Sequence, residues 1–389
     1  PLEDVICVWF FLGGVLSVMY RGFARFIRGK AFSFLFLFVS ILFIGYLSFR
    51  LGALFEYFTS CQIHALLLFI ACVIFGYMLF YANSGKAEKR TYKLYSICSV
   101  ALCFALNMAV CFLLFDFIKI FVPFETVGFY VIPAIVAVCL SIYGFVHAKR
   151  VQLKTYRVQM VHCNKKIRLA LLSDIHFGTF IDKKQLRKII DTVNNSNCDY
   201  VMIAGDTFDV DAFWHCNLAE LSAELQKLRP HQKTYAALGN HDPQSVNPKI
   251  IDFFQAAHID LLVDEAVETQ DFTIIGRDDI TTNPGRKALS NILCKTHSDK
   301  PIIVIDHNPV GIDESVQNKV DLVLCGHTHQ GQFFPVTLFT KWSYGKRGFY
   351  GCYKTNHTTS IVSSGAGFFQ MPMRTGTNSE VVLIDLEAH

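Results

Sequence analysis

The feature that most constrains this chain is the series of long apolar segments in its first 148 residues. A bilayer core about 30 Å thick is crossed by about 20 apolar residues in a helix. Residues 5–20, 31–49, 63–82, 95–122 and 127–146 each read as such a helix, the first being short enough to serve as an interfacial or signal-like segment instead. Four in series, almost free of charge, do not suit the core of one soluble domain. Charge divides the chain in the same place. Of 36 Lys and Arg and 32 Asp and Glu, only ten and six precede residue 149, so the net +4 belongs to the apolar region and residues 149–389 are balanced.

Orientation follows from the Lys and Arg of the short connections. Residues 21–30 and 84–93 carry four positive charges each, and residues 147–157 carry Lys149, Arg150, Lys154 and Arg157. The alternate connections hold only Arg50, Glu56 and Glu125. Every second loop is basic, which predicts an integral protein of a plasma or inner membrane with residues 149–389 in the cytoplasm. Asp116 and Lys119 fall toward the outer end of their span, and no ionisable pair across the spans marks an ion path. Thirteen cysteines without a CxxC pair suit free thiols in a reducing compartment and disfavour a cysteine zinc site.

After a basic linker and first strand at 149–164, the pattern changes. Residues 157–162, 167–172, 200–204, 234–238, 273–275, 301–305, 322–324, 360–363 and 380–386 read as strands. Residues 183–194, 217–228 and 249–257 read as helices. The alternation predicts an α/β domain over 165–389 with a largely parallel sheet, the last strands forming an antiparallel section or a second sheet. Ligands of such sheets gather beyond the carboxyl ends of the strands. There the chain places Asp174 and His176, Asp206 and Asp209, Asn240 and His241, His307, and His327 and His329. Carboxylates, imidazoles and an amide oxygen suit Mn, Fe or Zn. The candidate ligands Asp174, His176, Asp206, Asn240, His307, His327 and His329 are too many for one tetrahedral ion. They suit two divalent ions sharing one carboxylate, a centre able to hydrolyse phosphoesters. Gly205, Gly239 and Gly326 would let the backbone turn sharply as it leaves each strand.

SDIH (173–176), GDTFD (205–209), GNHD (239–242), DH (306–307) and GHTH (326–329) resemble the five-motif signature of calcineurin-like metallophosphoesterases. The resemblance covers about residues 165–389, and GHTHQGQFFP (326–335) and SSGAGFFQMPMR (363–374) resemble its membrane-attached branch. Gln330 departs from the pattern, in which Gly often follows the histidine pair. The resemblance implies a four-layer α/β/β/α sandwich behind an all-α transmembrane region at 1–148. It implies Asp174, His176 and His329 on one metal, Asn240, His307 and His327 on a second, and Asp206 bridging. His241, oriented by Asp209, would stabilise the transition state or protonate the leaving oxygen. The expected activity is hydrolysis of a phosphodiester, phosphomonoester or pyrophosphate at the bilayer, with a lipid-linked substrate such as UDP-2,3-diacylglucosamine among the candidates.

Arg374 is a candidate phosphate contact, because guanidinium binds phosphate bidentately. Lys346 and Arg347, near Trp342, are candidates for a headgroup or nucleotide, and Phe333, Phe334, Phe339, Phe368 and Phe369 for an acyl-binding rim. The balanced charge of residues 149–389 argues against a dedicated nucleic-acid groove. The alternative is a non-catalytic membrane scaffold or regulatory binding module on the same fold. Its mark would be the loss of a ligand, of Asp209 or of His241, and all are present.

Overall fold

The computed structural model describes residues 30–64, 66–71, 74, 89–122, 128–160, 165–209, 212–245, 247–296 and 300–388. The chain divides into two units between His147 and Ala148, and the short segment Met371–Thr375 belongs to the first of them.

The first unit is helical, with α1 (Lys30–Thr59), α2 (Lys89–Phe121) and α3 (Gly128–Ala148) over the apolar segments expected at 31–49, 95–122 and 127–146. The segment expected at 63–82 is described only at 63–64, 66–71 and 74. The segment at 5–20, the connections at 21–29 and 84–88, and residues 123–126 lie outside the described residues. Among the described residues, two stretches are long and apolar enough to cross a membrane, Ser96–Phe121 with 26 residues and Gly128–Ala148 with 21. At the helical rise these measure about 39 and about 31 Å. An amide links the two, Asn107 Nδ2 donating to Ser141 Oγ at 2.9 Å.

One expectation for this unit is corrected. Arg50 does not lie in a connection, because α1 continues past Phe49 to Thr59 and carries Arg50 against α2. Its Nη2 stands 3.1 Å from Asp116, whose other oxygen accepts from the Tyr46 hydroxyl at 2.6 Å. The Arg50 guanidinium also covers the rings of Phe112 and Tyr130. An ionisable pair does therefore join two helices, as the cost of an unpaired charge in apolar surroundings requires.

The second unit holds twelve strands among the described residues. β1 (Val151–Met160), β2 (Ile167–Leu172), β3 (Tyr200–Ala204), β4 (Lys233–Ala237) and β5 (Asp260–Leu261) precede β6 (Glu265–Glu268), β7 (Thr273–Gly276), β8 (Ile302–Ile305) and β9 (Leu322–Cys325). β10 (Gly351–Thr355), β11 (Thr358–Val362) and β12 (Ser379–Ala388) follow. They form two sheets, in the orders β1-β12-β2-β3-β4-β5 and β10-β11-β9-β8-β7-β6. Both are mixed: β12 runs antiparallel to β2, β10 to β11 and β6 to β7, and the other neighbours are parallel. The second sheet, which the strand pattern left open and the resemblance implied, is thus present.

Side chains alternate across each strand and so fill three layers. Leu169, Leu171, Ile303, Ile305, Leu322 and Leu324 pack together between the sheets. Ala170 and Leu172 face the other way, onto the helices α4 (Lys183–Asn194), α5 (Leu218–Leu225) and α6 (Pro248–Ala256) through Ile189, Leu221 and Phe254. Val304 and Val323 likewise meet Leu289, Ile292 and Ile312 beyond the second sheet. The helices start where the sequence supplies caps: Asp182, Asn217 and Asn247 each accept a first-turn N–H, and Pro248 occupies the first turn of α6.

β1 also starts earlier than the strand expected at 157–162, taking in most of the stretch read as a basic linker. It pairs in parallel with β12 along its whole length, and as an edge strand it leaves residues 152–155 exposed, so no apolar alternation announces it. Leu171→Ala, in the layer between the sheets, is expected to destabilise the domain by about 2–5 kcal/mol. Leu153→Ala, at a site 51% exposed, should stay within about 0.5 kcal/mol of the parent. Denaturant unfolding of the two variants checks both, and equal midpoints would contradict the assigned layers.

Candidate metal centre

The polar clusters sit where the chain leaves β2, β3, β4, β8 and β9, and five of the seven expected ligands leave in a left-handed backbone conformation. Their φ values are 51° at Asp174, 47° at His176, 52° at Asp206, 71° at His327 and 48° at His329. Such conformations cost free energy in non-glycine residues and persist where the surroundings fix them. Here the loops are laced together: the Asp174 N–H donates to Gly205 O, that of His176 to Asp206 O and that of Gly326 to His307 O, each at 3.0 Å. Gly205 has φ 73° and is the turn glycine expected. Gly239 and Gly326 serve differently, by close approach. A Cβ on Gly239 would stand 2.2 Å from Asp206 Oδ1, and one on Gly326 2.3 Å from Asp174 Oδ2.

Two groups of donors converge. In one, Asp174, His176 and His329 each bring a ligand atom within 4.8 Å of the others. His176 Nε2 is 3.1 Å from His329 Nε2, which is 3.4 Å from Asp174 Oδ1. The other unites Asp206, His307 and His327. Asn240 Oδ1 joins it, 2.7 Å from His327 Nδ1 and 3.2 Å from His307 Nε2, and those two nitrogens are 3.2 Å apart. Asp206 Oδ2 stands 3.2 Å from His307 Nε2 and 3.6 Å from His176 Nε2, so it faces both groups. Donors bonded to a common ion at about 2.0–2.2 Å lie about 3–3.5 Å apart at tetrahedral or octahedral angles. The separations therefore fit two divalent ions. The His307 tautomer fits as well: Nδ1 donates to Ala204 O at 2.8 Å and turns Nε2 to the centre.

The electrostatics of the metal-free protein point the same way. Burial works against the charged form of Asp206, but His307, His241 and His176 outweigh it and hold the carboxyl well below its ordinary range. Burial likewise opposes a charge on His307, yet Asp206, Asp174 and Asp279 raise it well above the ordinary histidine value. The centre thus collects positive charge on a ligand when no cation supplies it. Burial pushes His176 down to about 3, so its imidazole is neutral and ready to ligate. Burial lifts Asp174 to about 6, with Asp206 adding to the rise and His307 opposing it.

The remaining expected residues are placed as follows. His241 is half-buried, its backbone N–H donating to Asp206 Oδ1 at 2.8 Å. Its ring lies 5.3 Å from that of His176 and 4.4 Å from that of Phe369. Burial lowers its pKa, with Asp206 opposing and His307 assisting. The lowered value favours the neutral imidazole, which keeps one ring N–H. Asp209 Oδ1 lies 4.0 Å from His176 Nδ1, behind a ligand of the first group. Arg374 is fully buried in the segment that belongs to the helical unit, its N–H donating to Gly144 O.

Sequence reasoning gave no role to Asp242, although it closes the GNHD motif. Its carboxylate accepts from the N–H groups of Thr207, Phe208 and Gly239 and so clamps the loops after β3 and β4. Phe369, a candidate for an acyl rim, packs its ring within 6.3 Å of those of His176, His241 and His329.

Residues 167–331 match the family model of the calcineurin-like phosphoesterase domain. A Danio rerio protein named transmembrane protein with metallophosphoesterase domain is 31% identical over 283 residues, which cover 66% of this chain and 62% of that protein. A Helicobacter pylori protein named uncharacterized metallophosphoesterase is 30% identical over 242 residues, 61% of this chain and 64% of its own length. Among solved structures, a 5'-nucleotidase precursor from Thermus thermophilus aligns with a TM-score of 0.35 and 17% identity, over 57% of this chain and 55% of that one. The chain spans slightly less than two thirds of the length of these two curated relatives.

A cation entering this centre displaces protons from Asp174 and His307. Asp174 binds a proton below about 6, and His307 keeps its own above the usual histidine range. Mn affinity measured by calorimetry should therefore weaken by about tenfold or more from about pH 7.5 to about pH 5.5. Constant affinity over that range would contradict the donor set. Gly239→Ala, which drives a methyl into Asp206, should abolish bound metal in elemental analysis while leaving the circular dichroism spectrum unchanged.

Proposed function

This chain belongs to the calcineurin-like metallophosphoesterase superfamily, and we propose that it is a membrane-anchored, dinuclear phosphohydrolase. The observation that carries this reading is the position of Asp206 Oδ2, within reach of both donor groups. Asp174, His176 and His329 are assigned to one ion and Asn240, His307 and His327 to the other, with Asp206 bridging. Mn, Fe and Zn suit this mixture of imidazole, carboxylate and amide. Once bound, the ions would polarise a phosphoryl oxygen and lower the pKa of an attacking water.

The chain's own residues supply the rest. His241, tethered to Asp206 through its backbone and packed against the rings of His176 and Phe369, is positioned to donate a ring N–H to the leaving oxygen. Asp209 acts as a positioning residue behind the ring of His176. Phe369 packs against the rings of both His176 and His241. Arg374 is kept out of this set because its side chain is fully buried.

The substrate class follows from the anchor. Helices able to cross a bilayer hold the domain at its surface, which favours a lipid-linked phosphoester or pyrophosphate, UDP-2,3-diacylglucosamine being one candidate. The basic connections favour the cytoplasmic face of a plasma or inner membrane.

Two variants separate binding from chemistry. With Mn present, Asp206→Asn should lose both metal and hydrolysis of bis(p-nitrophenyl) phosphate. His241→Ala should retain metal and lose about 10²–10⁴-fold in kcat. Undiminished turnover in both would sink the assignment. Protease added to right-side-out vesicles should spare residues 149–389, and ready cleavage there would reverse the orientation.

A further inference from the structure

The helix that follows the His327–His329 pair turns an apolar face to solvent. This helix, α7 (Val336–Phe349), buries Val336, Thr340 and Gly348 against the domain and breaks at Gly345, where φ is 63°. Leu338 and Trp342, one turn apart on the outer side, are 59% and 63% exposed. Phe334, one further turn back and just ahead of the helix, is also exposed, as is Val310 on the neighbouring 3-10 turn. Lys341 and Lys346 are exposed beside them. Lys346 lies over the Tyr353 ring, while Arg347 is tied to Asp313. No Asp or Glu occurs anywhere from residue 322 to residue 379, so the domain's even charge hides a positive stretch around this helix. Phe, Leu and Trp flanked by lysines is the composition of a helix that lies in a membrane interface, its apolar side chains among the upper acyl chains and its ammonium groups at the phosphates.

The occupant is fixed by a second observation. Only Lys149 and Arg150 separate α3, which is long enough to cross a bilayer, from β1 of the domain. Two residues reach at most about 7 Å. A domain tied so closely stays at the membrane surface, and one of its faces meets the headgroups.

We propose that the outer face of α7, with Phe334, is the membrane-docking surface of the domain and rests on anionic headgroups. The same helix touches the candidate centre: the Tyr344 ring packs edge-on to His327 at 5.9 Å, and the Thr328 hydroxyl donates to Phe349 O at 2.7 Å. Docking therefore sets the ligand ring beside phosphate groups borne by the bilayer. The docking itself is independent of the hydrolase reading; only the delivery of a lipid-borne phosphoester rests on it.

The test uses the full chain with Trp9→Phe and Trp214→Phe, which leaves Trp342 as the one tryptophan of the three. It is reconstituted into vesicles of phosphatidylcholine and phosphatidylglycerol, the phosphatidylcholine being brominated near the top of its acyl chains. Trp342 emission should be quenched several-fold more by the brominated lipid than by aqueous iodide. Leu338→Asp, or Lys341→Glu combined with Lys346→Glu, should reverse that order. Strong iodide quenching with no effect of brominated lipid in the parent overturns the proposal. If the double-Phe background does not fold, the difference between the wild type and Trp342→Phe isolates the same signal. Turnover of bis(p-nitrophenyl) phosphate in the same vesicles keeps the two readings apart. Turnover without lipid quenching removes the docking surface alone; lipid quenching without turnover upholds docking and removes the hydrolase.

Discussion

A buried carboxylate sets the terms for the α/β domain. Asp206 is 2% exposed, follows a left-handed glycine, and is itself left-handed. One of its oxygens is fixed by the His241 N–H and the other faces two groups of donors. An uncompensated charge in such a place costs several kcal/mol, so positive charge has to be gathered around it. His307, which burial disfavours as a cation but Asp206 raises well above the ordinary histidine value, gathers such charge beside it. Much of the local architecture serves this one side chain. Gly239 leaves the space it occupies, and Asp242 locks the loops on either side of it through three backbone amides. The left-handed residues aim the other ligands inward at a cost that this network sustains.

The candidate ligands were legible in the sequence because each cluster follows a short apolar run. β2, β3 and β9 are buried on both faces, so their strand character is plain and their ends are sharply marked. Where burial is one-sided or absent, the pattern fails. β1 is mostly exposed along its length and reads as a basic linker. β5 and β6 are short and only half-buried or exposed. α7 mixes Gly, Thr and Lys with outward-facing Leu and Trp, a pattern that points to no soluble helix. Sheet membership is set by long-range pairing, such as β12 between β1 and β2, which local periodicity does not encode.

Charge follows the same division between local and long-range information. The excess of basic residues in the first 148 positions is visible directly. The Arg50–Asp116 pair is not, because it joins residues 66 positions apart through a helix longer than its apolar stretch. The domain's balance of acids and bases similarly conceals its uneven distribution, with no acid from 322 to 379. A balanced total leaves room for a small basic and aromatic face suited to a bilayer.

Diffraction from Mn-loaded crystals at the Mn absorption edge tests the bridged centre most directly. Two anomalous peaks about 3.5–4 Å apart are expected, with Asp206 Oδ2 between them and the two ligand groups on opposite sides. A single peak, or two peaks that do not share Asp206, would contradict a dinuclear centre built on that carboxylate.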